Sequence, residues 1–198
     1  MKRVFRIFTL VLILSLSVAA AGTVKLPPIG TAEQIISQAG VYCNEWQDLI
    51  GDAFGYNMSF DEENVSVVQK EHYDVGGNKV RTVDFDGIQL DVDDDLTAYA
   101  AQIPISTDRK EKYTGTARVF ALVSALAYDY PSSEAEMSAR YMTLLTEYND
   151  FMEKNAADLA GGSFVYWDIS TEKGDFEFQF CMEKGRILML YDKLYFAD

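Results

Sequence analysis

Between Ser163 and Tyr195 apolar and polar residues alternate through three runs, cut by two near-identical turn signals, Glu172-Lys173-Gly174-Asp175 and Glu183-Lys184-Gly185-Arg186. Each signal places a glycine where a tight hairpin turn needs positive φ, between segments rich in aromatic and β-branched residues. The pattern predicts a three-stranded antiparallel meander. Two-residue turns would set Glu172 opposite Asp175 and Glu183 opposite Arg186, and a period of two then assigns every side chain to a face. One face collects Val165, Trp167, Ile169, Phe176, Phe178, Phe180, Met182, Ile187, Met189 and Tyr191. Burying each large apolar side chain is worth roughly 1.5 to 3 kcal/mol, so this face requires cover from elsewhere in the chain. The opposite face collects Phe164, Tyr166, Asp168, Ser170, Glu177, Gln179, Cys181, Glu183, Leu188 and Leu190, and on it Phe164, Tyr166, Cys181, Leu188 and Leu190 form an apolar group among polar neighbours. Such a group is either covered by another element or available to a partner.

Upstream, Thr31-Ala32-Glu33-Gln34 has the spacing of a capping box, and Ile35, Ala39, Tyr42, Cys43, Trp46 and Ile50 follow at helical intervals, predicting a helix that stops near Gly51. Strand character returns over residues 64–73, 79–85 and 88–92, with turns at Gly76-Gly77-Asn78 and Asp86-Gly87. Pairing Phe85 with Ile88 puts Val83, Phe85, Ile88, Leu90 and Val92 on one face of this second meander. Thr82, Asp84, Gln89, Asp91 and Asp93 then share the other. Residues 93–115 show no clear period and are expected to form a long connection. Ala117 to Tyr128 is apolar nearly all round but too short to span a bilayer, so it predicts a core helix. A second capping box, Ser133-Glu134-Ala135-Glu136, opens a stripe of Met137, Tyr141, Leu144, Leu145, Tyr148, Phe151 and Met152 that ends at Gly161-Gly162.

The resulting order, helix, three strands, two helices, three strands, predicts an α+β fold: an antiparallel sheet built from two three-stranded meanders and packed with helices. The N-terminus changes the picture of where this domain works. Lys2, Arg3 and Arg6 precede an uncharged apolar run from Ile7 to about Ala21 that ends in Ala19-Ala20-Ala21-Gly22, the layout of a secretory signal peptide. We therefore expect residues 1–21 to be a cleaved signal, 22–30 a linker carrying Pro27-Pro28, and 31–198 one globular domain that is secreted or extracytoplasmic. A formal net charge of −14 disfavours nucleic acid and anionic membrane surfaces as partners. The only cysteines, Cys43 and Cys181, would enter an oxidising compartment, where a bridge between them would contribute roughly 3 to 5 kcal/mol.

Chemistry-bearing residues are sparse. His72 is the only histidine, which excludes multi-histidine metal sites, and no nucleophile elbow, phosphate loop or dinucleotide fingerprint accompanies it. Neither cysteine has cationic neighbours in sequence that would activate a thiolate. Asn57-Met58-Ser59 and Asn64-Val65-Ser66 are glycosylation acceptors only in a eukaryotic setting. The aspartates of the first meander are the one constellation with a chemical argument. Asp84 and Asp91 are diagonal neighbours on a strand face, and with Asp93 they offer hard oxygen ligands suited to calcium, although the spacing is not that of an EF-hand loop.

These features favour an exported, non-catalytic module that binds a protein, peptide or cell-envelope component and needs no cofactor. The alternative is a carboxylate- or calcium-dependent hydrolase acting on an extracellular polymer.

Overall fold

A computed structural model describes residues 27–74, 76–108 and 111–193. The expected signal peptide therefore lies outside the described residues. Nine strands form one antiparallel sheet: β1 (Gly30–Thr31), β2 (Val65–Val67), β3 (His72–Tyr73), β4 (Lys79–Phe85), β5 (Ile88–Val92), β6 (Thr97–Ile105), β7 (Val165–Thr171), β8 (Gly174–Glu183) and β9 (Arg186–Asp192). Their order across the sheet is β2-β4-β5-β6-β9-β8-β7, with β1 added to β6 and β3 to β4. The helices are α1 (Ala32–Trp46), α2 (Asp52–Phe54), α3 (Lys112–Ala127), α4 (Glu134–Lys154) and α5 (Ala156–Ala160). No described helix is long and apolar enough to cross a membrane.

The C-terminal meander forms as the alternation predicts. Glu183 pairs with Arg186 across Lys184-Gly185, both at positive φ, as a type I′ turn requires. The other hairpin differs from expectation: Thr171 pairs with Gly174, so the turn residues are Glu172-Lys173. Neither adopts positive φ; Gly174 does so instead, at the first position of β8. The register moves by two residues, a whole period, and every side chain keeps its predicted face. The Asp86-Gly87 turn and the Phe85–Ile88 pair also form as expected.

Residues 93–115 are not a connection. They contain β6, the strand that joins the two meanders by pairing with β5 on one side and β9 on the other. Its sequence, Thr-Ala-Tyr-Ala-Ala-Gln-Ile-Pro-Ile, hides this role, because alanine and proline are poor strand residues. Alanine serves here because Ala98 and Ala101 sit fully buried under the helical layer. Pro104 is tolerated because it lies beyond the stretch of β6 that pairs with β5, with only Leu188 of β9 opposite. The expected strand over 64–73 is two short pieces, β2 and β3, on the same edge of β4, separated by residues that leave the ladder. A short, interrupted edge strand is a poor template for pairing with another chain. The expected linker also gives up its last residues: Ile29 is buried and donates its N–H to Ala98 at 2.8 Å, and Gly30 pairs with the same residue.

All three long helices lie on the face that carries Val83, Ile88, Leu90, Ile103, Met189, Phe178, Phe180 and Trp167. Thr31 caps α1 by accepting from Gln34 N–H at 3.3 Å, and Ser133 caps α4 by accepting from Glu136 N–H. α3 is buried nearly all round, as its uniformly apolar sequence demands, because it has the sheet beneath it, α1 against one side, and Tyr141 and Tyr148 of α4 against Phe120. Gly115 allows the approach, since a Cβ there would stand 3.1 Å from the Cα of Ile105. Phe120 of α3 makes edge contacts with Tyr141 and Tyr148 of α4 and Trp167 of β7, and such pairs add about 0.5 to 1.5 kcal/mol each to simple burial.

Among the described residues the one charged side chain buried inside this layer is Arg118, only 3 % exposed. Its Nε donates to Asp86 O at 3.0 Å, Nη1 to Met58 O at 2.8 Å, and Nη2 to Ser59 O at 2.6 Å and to Asp86 Oδ2 at 2.8 Å. The guanidinium also lies 5.0 Å from the centroid of the Phe60 ring. It ties the long loop after α2 to the β4–β5 turn, and Asp86 extends the knot to Asp61 N–H and the Asn64 amide. Removing one partner of such a buried pair leaves the other uncompensated, at a cost of about 3 to 5 kcal/mol. Arg118→Ala is therefore expected to lower the unfolding free energy in urea by about that amount, whereas Arg118→Lys, which keeps the charge but loses the fork, recovers only part of it.

Candidate functional site

With every long helix on one side, the other side of the sheet faces outward, and the strand register orders it into rows. The apolar row runs Cys181, Leu188, Pro104 across β8, β9 and β6, with Phe164 just before β7. Next comes Tyr166, Gln179, Leu190, Gln102, Gln89 and Asp84, one residue from each strand from β7 to β4. The third row contains Asp192, Ala100, Asp91 and Thr82, with Asp168 and Glu177 directly opposite each other at its β7–β8 end. The face thus grades from apolar through amide to acidic over three rows.

At the apolar end, Phe164 is 51 % and Tyr166 45 % exposed, while Leu188, Leu190 and Cys181 are half-buried. α1 does not cover this group; it packs on α3 and reaches the sheet at β1 and β5 from the opposite side. The same placement answers the question of the bridge. Cys43 is buried in α1 with its Sγ 3.7 Å from Ala117 O, Cys181 lies in β8 on the outward face, and both are free thiols. An oxidising compartment alone does not bring two sulfurs within bonding distance.

At the acidic end, Asp168 and Glu177 oppose each other across the ladder, an arrangement that costs stability for like charges. Partial burial, and then the Asp168 carboxylate, raises the pKa of Glu177. Asp91 is only 7 % exposed; it accepts from Thr82 Oγ1 at 2.5 Å and lies 3.5 Å from Nε2 of His72. The Gln69 amide completes the cluster, donating to Thr82 Oγ1 at 2.6 Å and lying 3.3 Å from Nδ1 of His72. His72 reaches this position because β3 pairs it with Val80, two residues before Thr82 on the same face of β4, which sets His72 diagonal to Asp91. A groove of about 260 Å³ opens beside it, lined by His72, Asp91, Ala100, Gln102, Leu190 and Asp192 among others. Leu190 therefore belongs both to the apolar group and to the acidic groove.

The three aspartates proposed as calcium ligands do not converge. Asp84 accepts from Gly87 N–H at 2.7 Å and the Gln89 amide at 3.1 Å, which fixes the β4–β5 turn. Asp93 accepts from Asp95 N–H, Thr97 N–H and Tyr99 Oη, which fixes the β5–β6 turn. Asp91 is occupied by Thr82 and His72 as described. Among the described residues no group of three or more histidine, cysteine or acidic side chains is placed to hold a metal ion. His72 and Asp91 form the base-and-orienter half of a catalytic arrangement, but no serine or cysteine is hydrogen-bonded to the ring among the described residues, and Thr82 is turned to Asp91. What the face offers chemically is a graded surface: apolar contact, amide donors and acceptors, and carboxylates.

The Thr82–Asp91 pair was legible from the Asp86-Gly87 turn, since counting outward from Phe85 and Ile88 sets those residues opposite each other. The approach of His72 was not, because it depends on the break between β2 and β3. No family model matches the chain, and no curated protein or solved structure matches it.

The two thiols differ in a way that alkylation measures. Burial pushes the Cys43 thiol up to about 11, while Cys181, raised by partial burial and then by Glu183, remains half-exposed. Because only the thiolate reacts, iodoacetamide at pH 8 should add one adduct to the native, non-reduced protein, at Cys181, and a second only after unfolding. Intact mass with peptide mapping checks this; no adduct after unfolding without reductant would show a bridge.

Proposed function

We propose that this protein is an exported, non-catalytic binding module whose outward sheet face holds a protein, peptide or cell-envelope component. The observation that carries the reading is the uncovered apolar group of Phe164, Tyr166, Cys181, Leu188 and Leu190, continuous through Leu190 with the groove beside His72 and Asp91. Single exposed apolar residues are ordinary on a protein surface; a contiguous group on a face that no helix covers is the kind of surface partners use. Aromatic side chains at its rim add large contact area for little entropy.

The acidic row defines the partner's chemistry further. Asp168 opposite Glu177, with Asp192 and Asp91 in the same band, favours a ligand that is cationic there and apolar over Leu188. A cation placed between Asp168 and Glu177 would relieve a repulsion present in the free protein, so partner binding and stability would rise together. Export rests on the basic, apolar and small-residue succession of the first 21 residues. The hydrolase alternative rests on the His72–Asp91 contact alone.

The test uses a double variant, Leu188→Asp with Leu190→Asp, on half-buried positions of the outward face. Mature protein should retain partners from the native culture medium in salt-sensitive fashion, and the variant should lose at least about tenfold in affinity, roughly 1.4 kcal/mol, with an unchanged melting temperature. Capture that is indifferent to these substitutions removes the proposed face. Turnover of a polysaccharide or peptide that disappears in Asp91→Asn supports the hydrolase instead.

A further inference from the structure

The helical side of the molecule contains a cavity that the sheet face does not use. It measures about 280 Å³, near the small end of the range for small-molecule sites, and lies between the start of α3, the middle of α4 and the turn that follows α1. That turn, Gln47–Gly51, is π-helical, an uncommon conformation that recurs at functional positions. Gln47 organises the wall: its amide donates to Asp52 Oδ1, and its Oε1 accepts from Met58 N–H at 2.6 Å and Ser59 N–H at 3.1 Å. This anchors the loop that brings Tyr56 over Tyr113, the two rings stacked 3.7 Å apart at 12°. Phe54 stacks on the outer side of Tyr56 at 5.9 Å and, with Met142, is exposed at the mouth.

Two features of the lining point to a ligand. Tyr141 and Tyr148, 2 % and 1 % exposed, both line the cavity, and neither hydroxyl has a hydrogen-bond partner among the described residues. Leaving a buried hydroxyl unpaired costs about 1 to 3 kcal/mol, and a folded chain seldom carries two on residues of one cavity wall without a use for them. Burial, assisted for Tyr141 by the neighbouring Tyr113 and Tyr56 phenols, holds both well above the ordinary tyrosine range, so they are hydrogen-bond donors at any physiological pH. The second feature is charge. In a chain with a formal net charge of −14, the cavity is lined by one cation, Lys112, and by no carboxylate. Lys112 pairs with no acidic group among the described residues and stands in the first turn of α3, the end of a helix where its dipole favours an anion.

We propose that this cavity binds a small aromatic carboxylic acid of one or two rings. Its ring would lie against the Tyr56–Tyr113 stack and Leu145, its carboxylate at Lys112, and its polar edge on the Tyr141 and Tyr148 hydroxyls. The inference is independent of the sheet-face reading, because the two sites lie on opposite sides of the sheet.

The experiment is calorimetric titration of the mature protein with indole-3-acetate, 4-hydroxyphenylacetate and the neutral indole-3-acetamide. At least one acid should bind saturably at one site, and Lys112→Gln should weaken it about tenfold while leaving the amide unchanged. Tyr141→Phe and Tyr148→Phe should weaken the acid several-fold and raise the melting temperature of the free protein, since each removes an unpaired hydroxyl. Binding should persist in the Leu188→Asp, Leu190→Asp protein, which separates this site from the sheet face. No saturable binding by any of the three probes, or equal binding of acid and amide, overturns the proposal. A lower melting temperature in both phenylalanine variants does so too, because it would show the hydroxyls already satisfied by buried water.

Discussion

The pairing of β6 with β9 is the constraint on which the rest of this structure depends. Each meander alone would present an apolar face about three strands wide, and the helices available could not cover two such faces separately. Joined through Ala100 to Ile105 against Ile187 to Asp192, they make a continuous apolar surface that α1, α3 and α4 cover together. α3 can then be apolar all round, because it has the sheet beneath it, α1 against one side, and Tyr141 and Tyr148 of α4 against Phe120. The cost of this economy is that no helix remains for the second face. Its character, graded from Leu188 to Asp91, follows from the polar halves of the same alternating strands.

Charge follows the same division. Among the described residues the helical side admits one buried ion, Arg118, and satisfies it with three backbone carbonyls and a carboxylate, so it acts as a clamp between loop and turn. On the outward side carboxylates gather in one band, and Asp168 faces Glu177 directly. Such a repulsion, next to exposed aromatic side chains, is what the proposed binding role would use. The cavity by Lys112 reverses that preference locally, with a cation and unpaired hydroxyls set in an aromatic wall.

Much of this is legible in the sequence itself. Period-two alternation assigns Val165 to Tyr191 and Val83 to Val92 to their faces, and a turn displaced by one residue leaves those assignments intact, because it moves the register by two, a full period that changes partners and not faces. The caps at Thr31 and Ser133 were equally local and equally legible. What escaped was non-local. β6 interleaves Thr97, Tyr99, Ile103 and Ile105 with alanine, glutamine and proline, residues set by the closeness of the helical layer and by the end of β5, so its strand character is diluted within the segment. His72 meets Asp91 only because the edge strand breaks between Val67 and His72. Cys43 and Cys181 could be paired on paper, yet they sit on opposite sides of the sheet, and no count along the chain reveals which side the first helix takes.

The central claim is that one face of the sheet is covered and the other open, and β9 tests it residue by residue. Hydroxyl-radical footprinting of the free protein should oxidise Leu188 and Leu190 while sparing Met189 between them, although methionine is the more readily oxidised side chain. Phe164 and Tyr166 should react and Trp167, Phe178 and Phe180 should not. Protection of Leu188 and Leu190, or oxidation of Met189 in the folded protein, would contradict the account.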